Sequence, residues 1–158
     1  MVVGWVGRTF DIGTGFDALA VRASIVDVVA EAFVLLQGEC FDDAARIDRV
    51  RAVDRAVAAL AASQVCDSFE FHVSQMDEQE RLGVPVRRRG RGIADQLGLA
   101  TKRSPVVASR RLADARALVA DMPDTLRALA DGRVSELGAS IAVRETACLC
   151  GGPTAGGS

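Results

Sequence analysis

From Ile47 to Met76 the apolar residues return every three or four positions. Ile47, Val50, Val53, Val57 and Leu60 come first, followed with a slight drift by Val65, Phe69, Val73 and Met76. That period belongs to one face of an α-helix and does not fit the two-residue alternation of a strand. The drift is expected when a helix of 3.6 residues per turn is read against a seven-residue frame. No Gly or Pro appears between Gln64 and Glu80 to stop the element. Asp42 and Asp43 stand where acidic side chains suit the exposed N–H groups and positive dipole end of a helix start. The spacing therefore predicts one helix from there to about Glu80, ended by Gly83 and Pro85.

A second stripe precedes it. Between Asp17 and Gln37, Leu19, Ala23, Val26, Ala30 and Phe33 recur at helical spacing, with Arg22, Asp27 and Glu31 elsewhere and Gly38 just past the end. Two long helices with a short connection predict an antiparallel hairpin over 16–80. After Pro85 the signals are shorter. A helix is expected over about Gly92–Ala100. Ser104-Pro105 reads as the cap and first residue of the next, to about Asp121. Pro123 starts a further short helix that Gly132 stops, and a last one runs from Ser135 to about Leu149. Residues 1–15 read as a Gly-rich arm and 150–158 as a patternless tail. The expectation is thus an all-α fold, one helical domain over 16–149: a long hairpin (16–80), a basic linker (81–91) and a compact group of shorter helices (92–149). The scarcity of aromatics, 4% with no Tyr, in a chain that is 49% hydrophobic suits helix-on-helix packing better than a sheet.

Charge is distributed unevenly. From Arg81 to Arg116 ten basic residues stand against two acidic ones, a net of +8, while the rest of the chain carries −10; the overall −2 conceals this. A basic block in an acidic body suggests a phosphate-binding face, the alternative being a solvated surface or one matched to an acidic partner. Arg outnumbers Lys eighteen to one, the bias of a GC-rich genome, so arginine identity alone does not argue recognition. The segment IADQLGLATKRSPVVASRRL invites comparison with a helix-turn-helix, in which a small residue packs between two helices and the second enters the major groove. Ala94 and Gly98 have the expected spacing, but Val106 and Val107 come late, which predicts a turn longer than the tight version. Candidate nucleic-acid-binding residues are Arg87, Arg88, Arg89 and Arg91 in the linker, Lys102 and Arg103 at the turn, and Arg110 and Arg111 on the following helix. The linker arginines would neutralise phosphates or enter a minor groove, and the helical pair could approach base edges.

No catalytic or metal constellation emerges. His72, the only histidine, sits among apolar neighbours on the long helix. Cys148 and Cys150 form a C-x-C without a second ligand pair. Cys40 and Cys66 read as ordinary thiols, and the cysteine spacing matches no secreted disulfide framework. The glycines near Gly13 and in the tail lack the strand and the Lys of a phosphate loop. No cofactor is therefore expected. The N-terminus lacks the basic and long apolar regions of an export signal, and Asp27 and Glu31 break the most hydrophobic run, so a cytoplasmic location with no membrane partner is the default.

The run RRGRGIADQLGLATKRSP, then LADARALVADMPDTLRALADGRVSE and AVRETACL, resembles the 13E12-repeat family, domain of unknown function 222. The likeness covers about residues 42–149 and is best from Arg88 to Leu149. Met122-Pro123-x-Thr125-Leu126-x-x-Leu129-x-x-Gly132 and Arg144-Glu145-Thr146-Ala147-Cys148-Leu149 carry most of it. The family is actinobacterial, and many of its members continue into an HNH endonuclease domain. The resemblance implies a helical region of the kind that accompanies a nuclease domain; with the basic face, the expected function is a non-catalytic module that binds nucleic acid. Two features depart from it. Gly98 and Thr101 fall where members keep a continuous helix, and this chain ends soon after Leu149. An HNH site needs two histidines and usually an Asn; with one His and no Asn this chain has no such site, so no enzymatic activity is expected of it. The remaining expectations are a module that pairs with itself or with a nuclease-bearing relative, or the product of a truncated gene.

Overall fold

The computed structural model describes Val29, Glu31 and residues 42–150, the side chains of 149 and 150 excepted. Of the expected first helix of the hairpin only Val29 and Glu31, both helical, are described; the arm over 1–15, Cys40 and the tail beyond 150 lie outside the described residues. The chain divides into two units, Met1–Ala45 and Arg46–Ser158; the core and the site belong to the second.

The described residues are all-α, with no strand among them. Five helices follow in order: α1 Asp43–Arg81, α2 Ile93–Ala100, α3 Pro105–Ala120, α4 Pro123–Ala130 and α5 Glu136–Cys150, with a 3-10 turn at Val86–Arg88 between α1 and α2. Local chemistry places each boundary. At the start of α1 the carboxylate of Asp42 accepts from the Ala45 N–H at 2.8 Å, satisfying one donor that the helix itself cannot. Ser104 caps α3 through the Val107 N–H, with Pro105 at the first helical position. Ser135 caps α5 through the Gly138 N–H at 3.1 Å.

Three helices end in the same hydrogen-bond pattern, a 6→1 bond enclosing a 5→2 bond about a residue of positive φ. After α1 that residue is Gly83 (φ 72), with Val84 N–H donating to Gln79 C=O and Gly83 N–H to Glu80 C=O. After α4 it is Gly132 (φ 68), with bonds from Arg133 to Ala128 and from Gly132 to Leu129. After α2 the position is held by Lys102 (φ 54), with Arg103 N–H donating to Gly98 C=O at 2.8 Å and Lys102 N–H to Leu99 C=O at 3.3 Å. Lys102 is the sole non-glycine among the described residues with positive φ.

The core gathers Ala58 and Ala62 of α1, Leu118 of α3, Leu126 and Leu129 of α4, and Ala139 and Val143 of α5. Val65, Met122 and Val134 pack at its edge. On α1 the only buried residues are Ala58, Ala61 and Ala62, and Ala58 and Ala62 are its contribution to that core. The apolar stripe that marks α1 in the sequence behaves differently: Ile47, Val50, Val53, Val57 and Leu60 are all exposed. Hydrophobic period therefore located the helix correctly, while alanine made the core contact.

Candidate nucleic-acid interface

The linker after α1 is not an open chain. Arg87 and Arg88 occupy the 3-10 turn, and Arg88 and Arg89 N–H groups donate back to the Pro85 and Val86 carbonyls. Gln79 of α1 holds the segment from one side: its Oε1 accepts from the Gly90 N–H at 2.7 Å and its Nε2 donates to the Arg91 carbonyl at 3.5 Å. Arg89 holds it from within, donating from Nε to the Val84 carbonyl at 3.0 Å and pairing with Glu80 at 2.8 Å. The sequence reads this stretch as a basic linker between helical segments. The structure gives it fixed partners, because a single glutamine reaches both a donor and an acceptor of the loop backbone.

The second group of cations surrounds the α2–α3 turn. Ile93 is fully buried at the start of α2. At Gly98 an added Cβ would lie 3.0 Å from Ala108 Cβ and 3.2 Å from the Arg103 carbonyl. Gly98 thus lies inside α2 as the point of closest approach to α3 and does not interrupt it; the helix ends at Ala100, with Thr101 as its C-cap and Oγ1 donating to Leu97 C=O at 2.7 Å. The residue that packs back from α3 is Ala108, 3% exposed, whereas Val106 and Val107 are exposed. This explains why those two valines arrive late for a tight helix-turn-helix: the residue that inserts is the alanine after them. Lys102 and Arg103 are exposed on the turn itself.

Arg110 and Arg111 are adjacent in sequence and opposite in circumstance. Arg111 donates from Nη2 to Gln64 Oε1 of α1 at 2.8 Å and pairs with Glu136 of α5, so one guanidinium joins three helices. Arg110 is exposed and forms no ion pair among the described residues. Both line a cavity of about 310 Å³ between α1, α3 and α5, floored by Val65, Leu118 and Leu129 and walled by Asp114, whose carboxylate accepts from Ser140 at 2.7 Å.

The eight candidate cations therefore divide. Arg87, Arg88, Arg91, Lys102, Arg103 and Arg110 are exposed and have no carboxylate partner among the described residues; Arg89 and Arg111 are committed to Glu80 and Glu136. Sequence reasoning could not separate them, since neither carboxylate is a helix-spacing neighbour of its arginine. It also missed Gln79 and Gln64, for which polar residues on a helix face give no signal.

Elsewhere, His72 has its Nδ1 buried without a hydrogen-bond partner, and burial and the nearby Arg116 guanidinium hold its pKa below the ordinary value. Burial, then the Asp67 and Glu70 carboxylates, push the Cys66 thiol up, while Cys148 is exposed. Among the described residues no three His, Cys, Asp or Glu side chains converge to hold a metal ion, and no helix is long and apolar enough to cross a membrane. No family model, curated protein or solved structure matches the chain.

Proposed function

We propose that this chain is a non-catalytic helical module that binds nucleic acid through the cations between Arg87 and Arg110. The observation that carries this reading is the set of six exposed side chains, Arg87, Arg88, Arg91, Lys102, Arg103 and Arg110, with no carboxylate partner among the described residues. In an acidic protein, cations left unpaired while neighbouring ones are neutralised make a local positive field suited to phosphates. The close α2–α3 packing at Gly98 and Ala108 supports it, as does the resemblance to the 13E12-repeat family.

Fluorescence anisotropy of a labelled DNA tests it. Salt-sensitive binding by the wild-type chain, lost in an Arg87→Glu/Arg88→Glu/Arg110→Glu variant that unfolds at the same temperature, supports the reading. Equal binding by the variant refutes it.

A second reading, self-association or pairing with a nuclease-bearing relative, is favoured by the exposed stripe Ile47, Val50, Val53, Val57 and Leu60. It predicts a mass in sedimentation equilibrium that rises with concentration and returns to the monomer value in Val57→Asp/Leu60→Asp.

A further inference from the structure

Among the described residues, no exposed aromatic side chain accompanies the six unpaired cations. Residues 81–116 contain no Phe, Trp, Tyr or His. The phenylalanines among the described residues, Phe69 and Phe71, lie on α1 and are half-buried. Proteins that hold single strands combine a basic groove with aromatic platforms on which successive unpaired bases stack, and RNA loops are taken the same way. A surface with cations and no aromatic platform neutralises phosphates well, but arginine planes alone replace only part of the stacking that a splayed base loses. A duplex keeps its own stacking and asks only for charge.

The capacity for base reading is also small. On α3 the exposed residues near the turn are Pro105, Val106, Val107, Ser109, Arg110 and Ala113. Among these Arg110 alone could form the bidentate contact to guanine that discriminates base pairs. Arg111, the other candidate, is held by Gln64 and Glu136. The remaining five cations sit on the 3-10 segment and the α2–α3 turn, where hydrogen bonds from Gln79 and the Lys102 turn fix the backbone that carries them. Cations on a preset backbone lose less freedom on meeting a regular phosphate array.

Resting on the nucleic-acid reading above, we infer that the ligand is duplex DNA, held through its phosphates with little sequence preference. The number of unpaired cations sets the expected salt dependence. Six phosphate neutralisations give a slope of log affinity against log salt of about −5, so affinity falls about a thousandfold between roughly 50 and 200 mM salt.

The test is a set of anisotropy titrations with the full chain across that salt range. The probes are two duplexes of unrelated sequence, about 20 base pairs each, and a single strand of the same length. The expected result is a slope near −5 for both duplexes, affinities within about threefold of each other, and a single strand bound at least about tenfold more weakly. An Arg87→Gln/Arg88→Gln/Arg91→Gln variant should flatten the slope by about 3. Arg89→Gln, whose guanidinium is already spent on Glu80, should leave the slope unchanged. A single strand bound as tightly as the duplex, or one duplex preferred by more than about tenfold, overturns this inference and leaves the nucleic-acid reading standing. No binding to any probe at the lowest salt overturns that reading itself. Arg89→Gln flattening the slope as much as one of the exposed arginines would refute the division into free and committed cations, with cooperative thermal unfolding of every variant as the control for folding.

Discussion

Gly132, at the end of α4, lies against Arg55 of α1 so closely that a Cβ there would come within 2.8 Å of Arg55 Cβ and 2.9 Å of its Cα. Gly132 also has φ +68, a conformation that costs an L-residue about 1–2 kcal/mol. Gly83 has a similar φ of +72, and nothing within 4 Å of its Cβ position. The pair separates backbone strain from close packing. Gly83→Ala should cost about 1 kcal/mol in urea unfolding, and Gly132→Ala about 2–4 kcal/mol, because the second adds a clash with helix backbone. Equal losses at the two sites would show that α1 and the α4 end are not held at the observed distance.

Lys102 occupies a position that glycine fills at the other two turns of the same pattern. Lys102→Gly relieves the positive-φ cost and adds back some unfolded-state freedom, for a net gain of about 0.5–1 kcal/mol in unfolding free energy. Under the proposed function the same variant loses one phosphate contact. Stability should therefore rise while the salt slope flattens by about 1, two readouts moving in opposite senses.

Arg111 and Arg110 should respond differently to truncation. Removing Arg111 leaves Glu136 and Gln64 without their partner across three helices. The bridge is partly exposed, so solvent screens it, and Arg111→Ala is expected to cost about 1 kcal/mol. Arg110→Ala should stay within about 0.5 kcal/mol. Denaturant midpoints of the two variants check this.

His72 should make the fold sensitive to mild acid. Its pKa is lowered in the folded state by burial and by Arg116, so below about pH 6.5 the unfolded chain binds a proton that the folded chain resists. Stability present above that pH is lost as pH falls from there towards the lowered folded value, by at most about 1.4 kcal/mol per pH unit. The window lies above the carboxylate range, so a His72→Leu variant should have a flat unfolding free energy between about pH 5.5 and 7 where the wild type slopes.

Thiol reactivity should follow the same physics. In a Cys40→Ser/Cys150→Ser background, exposed Cys148 should react with a disulfide reagent at neutral pH well before Cys66. Burial and the flanking Asp67 and Glu70 keep the Cys66 proton on. Comparable rates would mean that α1 opens locally around Cys66.

The helices were legible in the sequence almost to the residue because their ends are written in local chemistry. Asp42, Ser104-Pro105, Pro123 and Ser135 start elements, and Gly83 and Gly132 stop them, through bonds to groups at most five residues away. The α2 stop at Ala100 was read as well, although its turn is closed by Lys102 and the glycine nearby, Gly98, serves packing instead. The first helix of the expected hairpin, Val29 and Glu31 excepted, falls outside the described residues.

What the sequence determined by itself was therefore the all-α character, the order and limits of the helices from Asp43 onward, and the concentration of positive charge between Arg81 and Arg116. These follow from short-range rules: period, capping and composition. What tertiary structure alone decided was which side chains are spent and which are free. Ala58 and Ala62 make the core contact while Ile47 to Leu60 stay exposed, and Arg89 and Arg111 are neutralised while Arg87, Arg88, Arg91, Lys102, Arg103 and Arg110 are not. The reason is physical. A helix places its own neighbours by a fixed period, but the partner of Arg111 stands on another helix, and only the packing of α1, α3 and α5 brings Gln64 and Glu136 to it.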